Sequence, residues 1–221
     1  NDVFLLHHNE RSARQLSQTG FTCIEDGHEH HMVLPCSVDI PANIDHVLVA
    51  VKTYSLRNLI KKITLCGSAT FLTIQNGLGN CELLSRNLPI DSVYAGMFTY
   101  GMVRYSPNHV ELKGHGELEI GGWGLGEHTA DIVSLYSEAG IHAYQSMDIR
   151  RAVWMKVGVN ACINPPATLR NCRNGELLDD NEVVESWAVI CDEVSKAAAV
   201  EGIDLPTRDI LAAATRVAIA T

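Results

Sequence analysis

Apolar and polar positions follow two rhythms along this chain. In its first half, DVFLLHH (2–8), HVLVAVK (46–52), ATFLTI (69–74) and VYAGMFTYGMVRY (93–105) are short runs rich in branched and aromatic residues, and read as strands. Between them NERSARQLSQTG, TYSLRNLIKKI and ELLSRNL carry apolar residues at helical spacing, the first opening on Asn9 as an N-cap and closing on Gly20. The near-continuous Val and Leu content of 46–52 predicts a strand buried on both faces of a parallel sheet. Strands and helices in alternation predict an α/β fold with a doubly wound sheet, where ligands gather beyond the carboxyl ends of the strands.

From about 106 to 122 the texture changes. SPNHVELKGHGELEIGG alternates apolar and polar residues around Gly114 and Gly116, which predicts an antiparallel hairpin at a sheet edge. From 127 onward HTADIVSLYSEAG, RRAVWMKVGVNACIN, NEVVESWAVICDEVSKAAAVEG and TRDILAAATRVAIAT all have helical spacing. The expected organisation is an α/β domain over 1–147 followed by an all-helical domain over 148–221.

Composition narrows the function classes. With 221 residues, 46% of them hydrophobic and 19% charged, the chain can bury a substantial core. The formal charge of −9, with Lys and Arg scattered, argues against nucleic acid as a partner. No apolar run reaches membrane-spanning length, and NDVFLLHHNERSARQ lacks the order of a secretory signal, so no membrane association is expected. The seven cysteines contain no C-x-x-C pair, which points to reduced thiols rather than a disulfide framework or zinc site. GHEHHM (27–32) fits no standard metal-ligand spacing and reads as a polar loop; no metal is expected. Trp123, Trp154 and Trp187 read as core or interdomain residues, and Glu182, Glu185, Asp192 and Glu193 as the solvated side of a helix.

The densest chemistry lies in WMKVGVNACINPPATLRNCRNGE (154–176). On a helix, Lys156, Asn160 and Asn164 share one stripe, and together offer an ammonium and two carboxamides to a small polar ligand. A half-buried lysine there would also lose part of its proton affinity and so donate more readily. By spacing alone, a lysine snorkelling at a helix surface beside two asparagines at a proline-broken turn is the commoner arrangement.

WMKVGVNACINP followed by NCRNGEL, with VAVKTYSL and IQNGLG upstream, resembles the ketopantoate reductase (2-dehydropantoate 2-reductase) family, its fungal-type members in particular, in order over nearly the whole chain. The resemblance implies a Rossmann-type NADP domain, a helical domain and a substrate cleft between them. It implies hydride transfer from NADPH to 2-dehydropantoate, a small 2-keto acid, giving pantoate for pantothenate biosynthesis. Lys156 then corresponds to the proton donor, Asn160, Asn164 and Asn174 to substrate-binding asparagines, and Lys52, Asn76 and Met102 to positions against the cofactor. A cytoplasmic protein is implied, with the mitochondrion and a homodimer left open.

Several residues depart from the family pattern. The chain has neither the opening strand nor the G-x-G-x-x-G turn of the family, and LAAATRVAIAT stops short of its last segment, so truncation at both ends is expected. A non-catalytic remnant or interaction module is therefore the second hypothesis. GGWGLG (121–126) has the wrong spacing to replace the phosphate loop. His8 stands where the family has an arginine for the 2′-phosphate; Arg11 or Arg14 could serve instead. Pro165, Pro166 and Ala167 replace a Pro, aliphatic, Thr sequence, with Thr168 one position late, and Arg173 replaces a proline before Asn174.

Overall fold

The computed structural model describes residues 3–220; Asn1, Asp2 and Thr221 lie outside the described residues, and with them the ends of the first expected strand and the last expected helix. The elements in chain order are β1 (Leu5–Leu6), α1 (Glu10–Thr19), β2 (Phe21–Glu25), β3 (His28–Met32), β4 (Cys36–Ser37), β5 (His46–Val49) and α2 (Thr53–Ile63). They continue with β6 (Thr70–Thr73), α3 (Asn80–Ser85), β7 (Val93–Phe98), β8 (Gly101–Ser106), β9 (His109–Gly114), β10 (Leu118–Gly122), α4 (Thr129–Glu138) and β11 (Ala143–Gln145). Three helices close the chain: α5 (Ile149–Arg170), α6 (Asn181–Val200) and α7 (Thr207–Ala220), with a short 3₁₀ turn at Asn174–Asp179 between the first two.

The main sheet has the order β11-β10-β7-β6-β5, with β5, β6 and β7 parallel and β10 antiparallel to β7. Helices cover both of its faces, as a doubly wound sheet requires. On one face Val49, Phe71, Val93 and Ala95 pack with Leu56 and Ile60 of α2 and Leu84 of α3; on the other, Leu72, Tyr94, Leu118 and Ile120 meet Ile132 of α4. Alternate residues of β6 thus serve opposite cores, the period of two expected of a strand between layers.

β5 departs from the sequence expectation. Val49 is fully buried but Leu48 is 44% exposed, because among the described residues β5 pairs only with β6 and forms an edge. The expected strand 46–52 also ends early, since Lys52 already occupies the N-cap position of α2. β1 pairs with β4 and not with the main sheet.

The single strand expected over 93–105 is two strands in two sheets. Thr99 and Tyr100 break it, and β8 joins a second sheet of order β3-β2-β9-β8. The expected hairpin at 106–122 is correspondingly displaced: β8 and β9 form the hairpin around Pro107 and Asn108, Gly114 ends β9, and His115 to Glu117 make the crossover back to β10 in the main sheet. Gly116 permits this crossover, because a Cβ there would sit 2.5 Å from backbone atoms of Thr99 and Tyr100. GHEHHM is not a loop; His28–Met32 pairs antiparallel with Phe21–Glu25. Every residue of β3 is exposed, so no hydrophobic alternation marks it in the sequence.

α5 ties the two halves together. Ile149 and Val153 belong to the α/β core, whereas Val159, Cys162 and Ile163 belong to the helical core with Leu177, Trp187 and Ile210. Close packing at both ends depends on glycine: a Cβ on Gly121 would meet Ile149 Cβ at 2.5 Å, and one on Gly158 would meet Ile210 Cγ2 at 2.5 Å. Arg151 adds a polar tie, donating to Asp204 O at 3.1 Å and to Asp209 Oδ2 at 2.8 Å.

The helix does not end at Asn164. It runs through Pro165 and Pro166 to Arg170 and closes on Asn171 in the left-handed region (φ 50°). Two prolines remove two backbone donors, a cost normally sufficient to break a helix. Here tertiary contacts outweigh it: Ala167 packs against the helical core, and the Thr168 hydroxyl donates to Asn164 O at 2.8 Å.

Candidate active site

The carboxyl ends of β5, β6 and β7 lie along one edge of the sheet because the three strands are parallel. Lys52 follows the first, Asn76 the second, and Phe98 ends the third. Lys156 reaches the same edge from α5, where its Nζ donates to Phe98 O at 2.6 Å. It lies between Val153 in one core and Val159 in the other, so the helix passes from domain to domain at this lysine. The side chain is half-buried, and desolvation holds its ammonium below the ordinary lysine range.

Asn160 and Asn164 follow one and two turns further along the same stripe, the first half-buried and the second exposed. Among the described residues neither carboxamide has a side-chain hydrogen bond that would occupy it. Asn174 begins the 3₁₀ turn, half-buried, and Gly175 beside it approaches Ala218 O of α7. Lys52 and Asn76 are exposed. Met102 lies on β8 shortly after Phe98, opposite Leu112 in the second sheet, and is 50% exposed.

The remaining candidates divide by geometry. Arg14 is paired with Glu10 at 2.5 Å on the exposed side of α1, and Arg11 borders the same shallow depression. In GGWGLG, the carboxylate of Asp91 accepts the Leu125 amide at 2.8 Å. A carboxylate already bonded to this loop disfavours a phosphate there. Trp123 is 7% exposed, with the Arg150 guanidinium 4.1 Å above its ring and donating to its carbonyl at 2.9 Å. Burial, with Glu82 adding to it, pushes the neighbouring Cys81 thiol up to about 12, which makes it an inert thiol rather than a nucleophile. Among the described residues no group of three His, Cys, Asp or Glu is arranged to hold a metal ion.

Three residues not singled out by the sequence belong to this edge. Phe98 contributes a backbone carbonyl, for which no side-chain signal exists. Gln75 donates from Nε2 to Val51 O at 2.6 Å, and Asn80 from Nδ2 to Asn76 O at 3.1 Å. Both flank the Asn-Gly pair within IQNGLGN, where a polar side chain on each side of a turn is the only available hint.

The doubly wound sheet, the helical domain joined to it through one continuous helix, and a half-buried lysine at the carboxyl edge define a two-domain protein of the Rossmann class. The chain belongs to the ketopantoate reductase family: residues 1–124 match the family described as Ketopantoate reductase PanE/ApbA, and residues 148–221 its C-terminal counterpart, Ketopantoate reductase PanE/ApbA C terminal. It is similar to the 2-dehydropantoate 2-reductase of Halobacterium salinarum, with 31% identity over 183 residues that cover 80% of this chain and 60% of that protein. The corresponding protein of Bacillus subtilis is 27% identical over 179 residues, again 80% and 60% of the two chains. The chain thus spans about 60% of the length of these curated relatives.

Among solved structures it resembles D-mandelate dehydrogenase with NADH and anilino(oxo)acetate, with a TM-score of 0.90, 24% identity, and coverage of 98% of this chain and 72% of that one. It also resembles 2-dehydropantoate 2-reductase from Geobacter metallireducens, with a TM-score of 0.82, 21% identity, and coverage of 98% and 75%.

Proposed function

We propose that this protein takes part in NADPH-dependent reduction of 2-dehydropantoate to pantoate, with Lys156 as proton donor. The observation that carries this reading is the Lys156 ammonium: half-buried, weakened as a base by desolvation, and at the carboxyl edge of a parallel sheet with donor capacity beyond Phe98 O. Negative charge that grows on a ketone oxygen during reduction is stabilised by such a donor, which then supplies the proton. Asn160, Asn164 and Asn174 would orient the carboxylate and hydroxyl of the substrate, since each carboxamide offers both donor and acceptor.

The residues fit a nicotinamide dinucleotide at the same edge. Lys52 and Asn76 are exposed there, and the turn between Asn76 and Asn80 has open backbone at Gly77 and Gly79. These residues would hold the cofactor, with Met102 bordering it and Arg11 or Arg14 meeting a 2′-phosphate; when bound, the cofactor supplies the hydride. In this reading residues 1–147 bind the cofactor and 148–221 contribute to the substrate side, in a cytoplasmic protein able to form a homodimer.

The test is NADPH oxidation with 2-dehydropantoate and a panel of other 2-keto acids, by the wild type and by Lys156→Ala. The expected result is turnover by the wild type alone. Equal rates in the two proteins would remove Lys156 from the chemistry, and light scattering checks the dimer.

A further inference from the structure

The turn from Asn76 to Gly79 is open to solvent along its length. All four residues are exposed, and Gly77 (φ 90°) and Gly79 (φ 85°) occupy the left-handed region with no atom within 4 Å of where a Cβ would stand. Two glycines separated by one residue, with no atom packed where their side chains would stand, favour many backbone conformations over one. Two buried or half-buried amides oppose that freedom.

Asn80, 3% exposed, donates from Nδ2 to Asn76 O at 3.1 Å and to Gly77 O at 3.5 Å, closing the turn from below. Gln75 receives the Thr73 hydroxyl on Oε1 at 3.0 Å and donates from Nε2 to Val51 O at 2.6 Å. Val51 immediately precedes Lys52, so this last bond couples the turn after β6 to the connection after β5.

A second observation points the same way. Asn80 Oδ1 is buried without a partner among the described residues. Asn80 is among the residues that line a cavity of about 10 Å3, with Thr73, Gln75, Trp123 and Val153. A buried acceptor calls for a donor, and a cavity of this size has room for a single water that would extend the brace toward α5.

We propose that Gln75 and Asn80 are positioning residues that hold Lys52 and Asn76 in one fixed relation at the carboxyl edge, so that the cofactor meets a preset surface. The proposal rests on the functional reading above for its ligand, but the rigidity of the turn is measurable without any ligand.

The test uses the neutral variants Gln75→Met and Asn80→Leu, which remove the amide donors at nearly constant size and add no charge. Backbone ¹⁵N relaxation of the free protein reads the turn directly. Order parameters at residues 76–79 should fall from about 0.85 in the wild type to below about 0.6 in either variant. The KM for NADPH should rise about tenfold, the equivalent of one hydrogen bond, with kcat at saturating NADPH nearly unchanged and a melting temperature lowered by a few degrees at most. The double variant should cost less than the two single effects combined, because both amides secure one unit. Unchanged order parameters overturn the proposal. So does a lowered melting temperature with an unchanged KM, which would make the two amides structural only. Absence of NADPH oxidation by the wild type would instead remove the functional reading, while the relaxation arm still decides the brace.

Discussion

Two half-buried bases occupy opposite ends of the main sheet, and they are treated differently. At the amino end, His46 opens β5 with both ring nitrogens hydrogen-bonded, Nδ1 with Thr70 Oγ1 at 2.7 Å and Nε2 with Tyr136 Oη at 3.0 Å. At the carboxyl end, Lys156 has three donors and a carbonyl, Phe98 O, for one of them. Burial lowers the proton affinity of both, that of His46 to about 4. The histidine is thereby kept neutral and joins β5, β6 and α4. The lysine keeps donors in reserve where the ends of parallel strands converge. Complete pairing marks a group that serves the fold; spare donors at a strand end mark one available for chemistry.

The comparison breaks most visibly at Lys156. Lys156→Ala should lower kcat for 2-keto acid reduction by roughly 10²–10⁴-fold, the range of a general acid. Lys156→Met should at least keep the wild-type melting temperature, because it removes a desolvated ammonium; a loss of several degrees would count against a functional reserve of donors. In the wild type the basic limb of the kcat profile should turn down below the usual lysine value, since the donor must be protonated and burial lowers its pKa.

His46 should answer to acid instead. The unfolded chain binds the imidazole proton near 6.5 and the folded protein only near 4, so stability is whole above 6.5 and declines as pH falls toward 4. The decline is at most about 1.4 kcal/mol per pH unit, less what partial exposure screens. Denaturant unfolding at pH 7 and pH 5 measures it, and His46→Gln should flatten the difference.

Smaller effects test the bridge between the two ends. Gly158→Ala puts a methyl against Ile210 and should cost about 1–3 kcal/mol in denaturant unfolding, with Gly121→Ala comparable through Ile149. A neutral outcome at either site would mean that α5 is anchored less tightly than the packing implies. Asn164→Ala, at an exposed position, should raise the KM for the keto acid by up to about tenfold and leave stability within about 0.5 kcal/mol. A larger loss of stability would recast Asn164 as a structural residue.

Legibility from the sequence followed burial. β6 and the helices declared themselves through apolar spacing, because their faces meet well-formed cores. β3 did not, since all its residues are exposed and its pairing with β2 is through the backbone. The run 93–105 looked like one strand because residues on both sides of Thr99 have strand character, and nothing local says that the chain changes sheets there. Within the site, the lysine and asparagine stripe was legible from spacing, whereas the carbonyl of Phe98 and the brace of Gln75 and Asn80 were not.

The sequence by itself determined the alternation of strands and helices, the helical second half and the shared face of Lys156, Asn160 and Asn164, because each follows from a local period of two or of 3.6 residues. Only the tertiary structure decided that α5 continues through Pro165 and Pro166, that β8 leaves the main sheet, and that Lys156 meets Phe98 between two cores. Those outcomes depend on contacts between residues far apart in the chain: packing that outweighs two lost backbone donors, and a backbone carbonyl delivered 58 positions away from the ammonium that needs it.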